Sequence, residues 1–477
     1  MSSRLSALMG WSFFETLSGE IVVFIVGIVL ARLLGAEEYG LCGVLMVFIT
    51  ISQGIIDGGF GSALIQSRQQ HTEQDDRNTI FWFNMVISIG FYLLLFCCSD
   101  WVAQFYRHQV LSPMLQVLAL LIVINAGGLV QRSILVKELK MQQLAIINSV
   151  GIIISSILGI WAAYYGAGAW SIIICRLSRT GLVVCGLWVC SSWRPNFSFC
   201  WESFRRLWRY ASRIISMSFI ENVFNNLNPI LIGRYFSISD VGIFTRAQSI
   251  TCVPRNLLQG TFVKFSFPFF SKNQHDLKVV TNYYFAFLWL SCSLLILCMG
   301  GLLLLGKPLI LLLLTEKWSR CIPILQVLCV LGWVMPIQAI GNALLNGLGH
   351  VDALLKLTIF QRIILVVAIA VSIPFGFMAL IIATSVAQLI NSIMNIAFVA
   401  HVLQIRIMSV LRLFFVPLLS IAVACGGCWL LMPWWPHSMY LQILLIPFVV
   451  TGIFGLSIWL FSRHRLRRTL RLISAQS

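Results

Sequence analysis

Long apolar runs separated by short polar clusters make up almost the whole of this chain. A helix needs about 20 apolar residues to cross ~30 Å of hydrocarbon. Read in windows of that length, the pattern predicts about fourteen membrane-spanning helices. Their approximate ranges are 10–33, 41–65, 79–99, 113–134, 144–165, 168–191, 207–234, 241–268, 280–305, 321–345, 353–373, 378–400, 412–432 and 441–462. The second, seventh and eighth windows are interrupted by polar residues more than the others. Connections stay under about 20 residues, which leaves no room for a domain outside the membrane.

Composition agrees with the pattern. Of 477 residues, 59% are hydrophobic and only 10% charged, and the mean hydropathy is +0.91. Soluble domains carry about 25% charged residues. So few charges cannot coat a soluble surface, which excludes disorder, a nucleic-acid-binding domain and a secreted disulfide scaffold as the main architecture. The net charge of +17, from 33 Lys and Arg against 16 Asp and Glu, belongs first to loops on the cytoplasmic side. With a cytoplasmic N-terminus, seventeen loop and tail cations fall on that side, among them Arg77, Arg194, Arg205, Arg206, Arg467 and Arg468. Four fall opposite: Arg107, Lys307, Lys317 and Arg320. Both termini are therefore expected to be cytoplasmic.

No cleavable signal peptide is read at the N-terminus, because the first apolar run carries Glu15 and Glu20. Most cysteines lie within apolar runs, including Cys425-Gly-Gly-Cys428, and are expected to pack as small hydrophobes. The histidines are scattered. No metal, cofactor or nucleic-acid partner is expected.

The two halves of the chain share a register. Arg32-Leu-Leu-Gly-Ala-Glu-Glu-Tyr-Gly40 matches Arg234-Tyr-Phe-Ser-Ile-Ser-Asp-Val-Gly242 at an offset of 202, and Gly58 matches Gly260 at the same offset. Tyr165-Gly166 matches Phe375-Gly376 at 210. Six spans per half, an even number, predict a parallel repeat rather than an inverted one. The expected architecture is an all-α membrane protein of two six-helix lobes, residues 1–200 and 201–405. Two extra helices and a basic cytoplasmic tail follow over 406–477.

Particular segments carry a resemblance. Ala31-Arg32-Leu33-Leu34-Gly35 with Tyr39-Gly40, Gly54-Ile-Ile-Asp57-Gly-Gly-Phe60, Ile232-Gly233-Arg234 with Val241-Gly242, and Phe267-Pro268 with Ser271 resemble the polysaccharide-transporter family. These are O-antigen and exopolysaccharide flippases, colanic-acid exporters included, within the multidrug/oligosaccharidyl-lipid/polysaccharide exporter superfamily. The resemblance covers nearly the whole chain. It implies export of an undecaprenyl-diphosphate-linked oligosaccharide across a bacterial inner membrane, with membrane lipids and glycan-assembly machinery as partners. Family members carry an Asp shortly before the second-half Gly-Arg. This chain has Asn228 there, which weakens a cation-binding role for that position.

Charges inside the spans are the candidate chemistry, since a charge at mid-bilayer costs several kcal/mol. Four acids fall well inside: Glu15, Glu20, Asp57 and Glu221. They are the candidates for coupling transport to a proton or sodium gradient. Glu221, Asn225 and Asn228 share a helical face, as do Gln248, Arg255 and Gln259 beside Pro254. The diphosphate of such a substrate cannot cross hydrocarbon uncompensated. Arginine binds phosphate through a planar fork and keeps its charge when desolvated. Arg179 and Arg255 head the candidates for that cationic cavity, with Arg176, Arg362, Lys264, Asn225 and Gln259 beside them. Polar stripes at Gln338/Asn342/Asn346 and Gln388/Asn391/Asn395 line a cavity or hydrogen-bond between helices. Gly54 and Gly58 form a small-xxx-small pair suited to close helix approach.

No G-x-x-x-x-G-K-[ST] motif occurs, so no ATP hydrolysis by this chain is expected. Small-molecule efflux is the alternative function. A membrane polymerase or acyltransferase would need a positioned acid or base and a sizeable outer loop, and neither is read here. An assembly role without transport would leave the intramembrane acids without a purpose.

Overall fold

The computed structural model describes residues 19, 21–56, 60–61, 64, 73–430 and 439–474, and among these every regular element is a helix. The first unit of the chain opens with the apolar helix α1, Ile21–Leu33, followed by α2, Ala36–Ile56, and α3, Glu73–Tyr106. The next span is made of two pieces, α4 (Leu111–Leu118) and α5 (Leu120–Lys137). Helices α6 (Met141–Tyr164) and α7 (Trp170–Cys190) complete the first half.

The second half begins with α8 (Trp201–Asn225), α9 (Leu227–Tyr235) and α10 (Ile238–Lys272). The long α11 covers Leu277–Leu313. A second two-piece span follows, α12 (Cys321–Gly332) and α13 (Met335–Gly347). Helices α14 (Val351–Ser372) and α15 (Phe377–Val402) close the repeat, and α16 (Ile407–Leu430) and α17 (Met439–Ser474) are the extra pair.

Eleven helical stretches among the described residues are long and apolar enough to cross a bilayer, and α1 is a shorter apolar helix. The seventh and eighth expected spans are also helical. They form α8 with α9, and α10, and they are long enough but too polar to join the apolar set. Within the described residues, each of the fourteen expected windows coincides with helix.

The chain packs as two compact units, Met1–Thr245 and Arg246–Ser477. The division by sequence repeat at 200/201 is a different partition and returns below as part of the proposed mechanism. In the first unit, Phe60, Ile80, Phe81, Val130, Ile134, Trp193 and Leu207 form a buried cluster. Its rings meet edge-on, Phe60 with Phe83 at 5.1 Å and Phe81 with Trp193 at 5.9 Å. In the second unit, α11 buries the stripe Tyr284, Leu288, Cys292 and Ile296, spaced one helical turn apart, against Val334, Leu344, Ile396 and Val399. Lipid is as apolar as these side chains, so close packing rather than expulsion from water holds such helices together. All fourteen cysteines are free, and Cys428 lies in a buried cluster with Leu305, Ala424, Ile446 and Val450.

The repeat is written in the backbone. At the offset of 202, Leu34 N–H donates to Leu30 C=O and Phe236 N–H to Ile232 C=O. After α5, the N–H groups of Glu138, Leu139 and Lys140 donate to the carbonyls of Ile134, Val136 and Leu135. After α13, those of Leu348, Gly349 and His350 donate to Leu344, Asn346 and Leu345, the same pattern shifted by 210. Both caps turn on a left-handed residue, Leu139 at φ 57° and Gly349 at φ 81°. The paired glycines Gly166 and Gly376 also take positive φ, 80° and 101°. Glycine carries no Cβ penalty there. Helix ends in matching register are what a parallel repeat predicts.

Candidate functional site

Two helices stand apart from the apolar set by their polar content, α8 and α10. Helix α10 also holds Pro254 and Pro268 in its interior. Each proline removes one helical N–H and so leaves a carbonyl four residues earlier without its helical partner. Next to Pro254 lies Arg255, half-buried. Its guanidinium reaches two sulfur atoms, Cys252 Sγ at 2.6 Å and Met335 Sδ at 3.6 Å. Sulfur is a weak acceptor. Among the described residues, no carboxylate lies within ion-pair distance of Arg255.

The other sequence candidates are dispersed over both units. Arg176 is exposed and Arg179 half-buried, one turn apart on α7. Glu221 and Asn225 are exposed on α8, and Asn228 on α9 is half-buried. In the second unit, Lys264 is exposed on α10 and Arg362 is half-buried on α14. Glu15, Glu20 and Asp57 lie outside the described residues, as does the side chain of Gln259.

The buried carboxylates are different ones. Asp76 in the first turn of α3 is 1% exposed, and Asp240 at the start of α10 is also buried. Asp240 accepts a hydrogen bond from Ser237 Oγ at 2.7 Å, while its own N–H donates to that oxygen at 3.0 Å. Asp76 pairs with Arg206 at 2.6 Å. Arg246 on α10 is the one arginine of the buried class among the described residues. Pattern reading passed over all three because they sit near span ends, where charge is the rule. The burial of Asp76 has no sequence signal: its partner is 130 residues away.

In the polar stripes of the second unit, Gln338, Asn342, Asn391 and Asn395 hydrogen-bond between helices. Gln338 Nε2 donates to Ser392 Oγ at 3.3 Å, and Asn395 Nδ2 to Asn342 Oδ1 at 2.8 Å. Gln361 Nε2 donates to the Asn391 carbonyl at 3.1 Å, and Asn391 Nδ2 to the Gln361 carbonyl at 3.4 Å. A Cβ at Gly341 would collide with Asn395 Oδ1, so glycine makes room for the pair. Such contacts are worth about 0.6–2 kcal/mol. Asn395→Ala should therefore lower stability by about that amount and leave transport unchanged, as thermal unfolding and a vesicle transport assay would measure. A transport loss greater than the stability loss would return Asn395 to the pathway.

Glycines set the close approaches of the first unit. A Cβ at Gly40 would collide with the carbonyl oxygen of Ile238, and a Cβ at Gly242 with that of Ala36. Both pairs are related by 202, so repeat-equivalent ends of α2 and α10 cross at repeat-equivalent glycines. Further along α2, a Cβ at Gly54 would collide with the Asn222 side chain on α8; its partner in the small-residue pair, Gly58, lies outside the described residues. Arg234 donates to the Phe105 carbonyl and lies 4.7 Å from that ring's centroid. Beside it, His108 Nε2 is 3.2 Å from Glu37 Oε1. Outside the spans, the Ser203 backbone N–H and hydroxyl hold the Cys200 thiol below its ordinary range.

Residues 29–323, well over half of the chain, match the family described as Polysaccharide biosynthesis protein. The chain belongs to that family. Among its relatives, the Lipopolysaccharide biosynthesis protein WzxC of Escherichia coli (strain K12) is 24% identical over 417 residues, covering 83% of this chain and 81% of that protein. The Succinoglycan biosynthesis transport protein ExoT of Rhizobium meliloti (strain 1021) is 26% identical over 324 residues, 68% of this chain and 65% of that one. In fold, this family member is similar to the lipid II flippase MurJ in an inward closed conformation. The TM-score is 0.75 at 14% identity, over 95% of this chain and 99% of that one. It is also similar to an inward-facing multidrug resistance MATE family transporter of the MOP superfamily. There the TM-score is 0.64 at 16% identity, over 83% and 96%. At such identities the likeness shows the fold alone. The polysaccharide biosynthesis protein is thus a multi-pass membrane protein with transporter relatives, as its motifs imply.

Proposed function

We propose that this polysaccharide biosynthesis protein is a flippase. It moves an undecaprenyl-diphosphate-linked oligosaccharide from the cytoplasmic to the periplasmic leaflet of a bacterial inner membrane, with both of its own termini cytoplasmic. It acts by transport rather than catalysis. The observation that carries this reading is Arg255: a half-buried guanidinium inside a polar, proline-containing helix, held against sulfur, with no described carboxylate within ion-pair distance. A cation so placed is costly in a membrane protein unless an anion visits it. A diphosphate suits it in charge and in bidentate geometry. The transport relatives and the superfamily fold support the same reading.

In this mechanism the sugars and diphosphate occupy the polar helices' side of the bundle while the polyprenyl tail stays in lipid. The repeat halves, 1–200 and 201–405, rock about the bound headgroup. Arg176, Arg179, Arg362 and Lys264 supply further positive charge along its route, and Asn225 and Gln259 hydrogen-bond the sugars. Arg255→Ala should slow flipping of a fluorescent lipid-linked oligosaccharide in proteoliposomes by about tenfold or more, the weight of one charge-assisted hydrogen bond. Arg255→Lys should keep part of the rate, since charge remains and the fork is lost. An unchanged rate in Arg255→Ala would overturn the assignment.

Energy comes from an ion gradient acting through an intramembrane acid, with Glu221, Glu15, Glu20 and Asp57 as the set. Amide replacement of the coupling acid should leave gradient-free exchange intact and abolish the gain from an imposed proton or sodium gradient. If all four amide variants keep that gain, coupling through these acids is wrong.

A further inference from the structure

Between α7 and α8 the chain does not form a polar loop. Its last part is an extended segment laid along the first turns of α3, and its two sides differ in chemistry. One side is bonded to α3. Asn196 N–H donates to Asn78 Oδ1 at 3.1 Å, and the Asn196 carbonyl accepts from Trp82 Nε1 at 2.9 Å. Ser198 Oγ accepts from Asn78 Nδ2 at 2.8 Å. Cys200, extended at φ −105° and ψ 112°, donates its N–H to Thr79 Oγ1 at 3.0 Å. Extended backbone alternates its side chains with period two. The intervening residues Phe197, Phe199 and Trp201 are accordingly free of α3's polar groups and are 93%, 49% and 61% exposed. Phe197 stacks on the Trp82 ring with centroids 4.6 Å apart, so the row of rings is fixed in place. Arg194 and Arg205 lie exposed on either side of it, with Glu202 as the one exposed acid between them.

We infer that this aromatic edge is a membrane-interface anchor whose partner is the headgroup layer of an anionic leaflet. Three features select that partner. The segment follows directly on the end of the α7 span, Trp170–Cys190, and precedes α8, so it lies where the chain leaves the hydrocarbon. Aromatic rings concentrate at that depth, where an apolar body meets a polar boundary. The flanking Arg194 and Arg205, set beside the exposed acids Glu202 and Asp75, are the groups that complement anionic headgroups. A mobile linker would lose this placement, whereas the hydrogen bonds to Asn78, Thr79 and Trp82 hold the rings at one depth. The anchor thereby fixes the corner at which the first repeat half passes into the second. The inference goes beyond the transport reading and requires only that the chain is inserted in a membrane.

The test places the photoreactive residue p-benzoylphenylalanine at Phe197, a near-isosteric change, and at Ser198 as the neighbour turned toward α3. The full chain is reconstituted in nanodiscs of phosphatidylcholine alone or with phosphatidylglycerol, illuminated and analysed by mass spectrometry. Lipid adducts at 197 should exceed those at 198 by about fivefold, as expected for a ring seated in the interface, and phosphatidylglycerol should be enriched among them over its share of the disc. Absence of lipid adducts at 197, or equal yields at the two positions, would overturn the anchor. Adducts without phosphatidylglycerol enrichment would overturn the anionic partner. A protein adduct at 197 in intact cells, in place of lipid, would assign the edge to a protein instead.

Discussion

Gly40→Ala and Gly242→Ala should each cut transport by about tenfold or more while leaving the protein inserted in the membrane. The ends of α2 and α10 touch backbone to backbone. A methyl at Gly40 meets the Ile238 carbonyl, and a methyl at Gly242 meets the Ala36 carbonyl. No rotamer change relieves a clash with a carbonyl oxygen, so the helices must separate. Overpacking of this kind costs about 1–3 kcal/mol, and about 1.4 kcal/mol is a factor of ten in an equilibrium. On the premise that these ends part elsewhere in the transport cycle, the cost falls only on the conformation in which they touch. A transporter that must visit that conformation in each cycle loses it from its population.

Because one crossing involves both glycines, the double variant should cost little more than either single one. Hydrogen exchange over residues 36–44 and 236–245 should quicken in all three variants, and vesicle assays should show the matching loss of rate. Wild-type transport in both single variants, or strictly additive losses, would mean that the crossing is not a shared element of the cycle.

The periodic apolar windows made the order of the spans legible, because twenty-residue runs admit few readings; that three of the windows divide into two helices each was not legible. The repeat was legible as well. The match of Tyr165-Gly166 with Phe375-Gly376 marked two turns that both need positive φ. What a helical face touches was not legible. Gln338, Asn342, Asn391 and Asn395 read equally as cavity or seam, and only their cross-helix bonds decide for the seam. The cluster Glu73-Gln74-Asp75-Asp76-Arg77 reads as loop charge. In fact α3 starts at Glu73, and helical geometry turns Asp76 inward while its neighbour Asp75 stays exposed. The alternation of Asn196, Ser198 and Cys200 with Phe197, Phe199 and Trp201 is visible in the sequence, but ten residues between two spans do not ordinarily suggest extended structure with two distinct sides.

Arg206→Gln should be among the most destabilising single replacements of a charged residue in the first unit. Asp76 is almost wholly buried, and its carboxylate pairs with Arg206 at 2.6 Å, whose side chain is 39% exposed. Removing one partner of a fully buried pair costs about 3–5 kcal/mol, because the remaining charge stays buried. Water at Arg206 screens the pair and lowers that figure, so about 1–3 kcal/mol is expected. Asp76→Asn removes the charge along with the pairing and should cost less than Arg206→Gln. The double variant should lie close to Asp76→Asn alone, since Arg206 can turn to solvent once its partner is neutral. Unfolding in detergent across the four-member cycle measures the coupling energy directly. A coupling under about 0.5 kcal/mol would reduce the contact to an ordinary surface pair. A larger value would establish a charged tie between α3 of the first repeat half and α8 of the second, beside the Asn78 and Thr79 bonds to the preceding segment. That ion pair and the hydrogen bonds from Asn78 and Thr79 to Asn196, Ser198 and Cys200 would then tie the start of α3 both to the segment before α8 and to α8 itself.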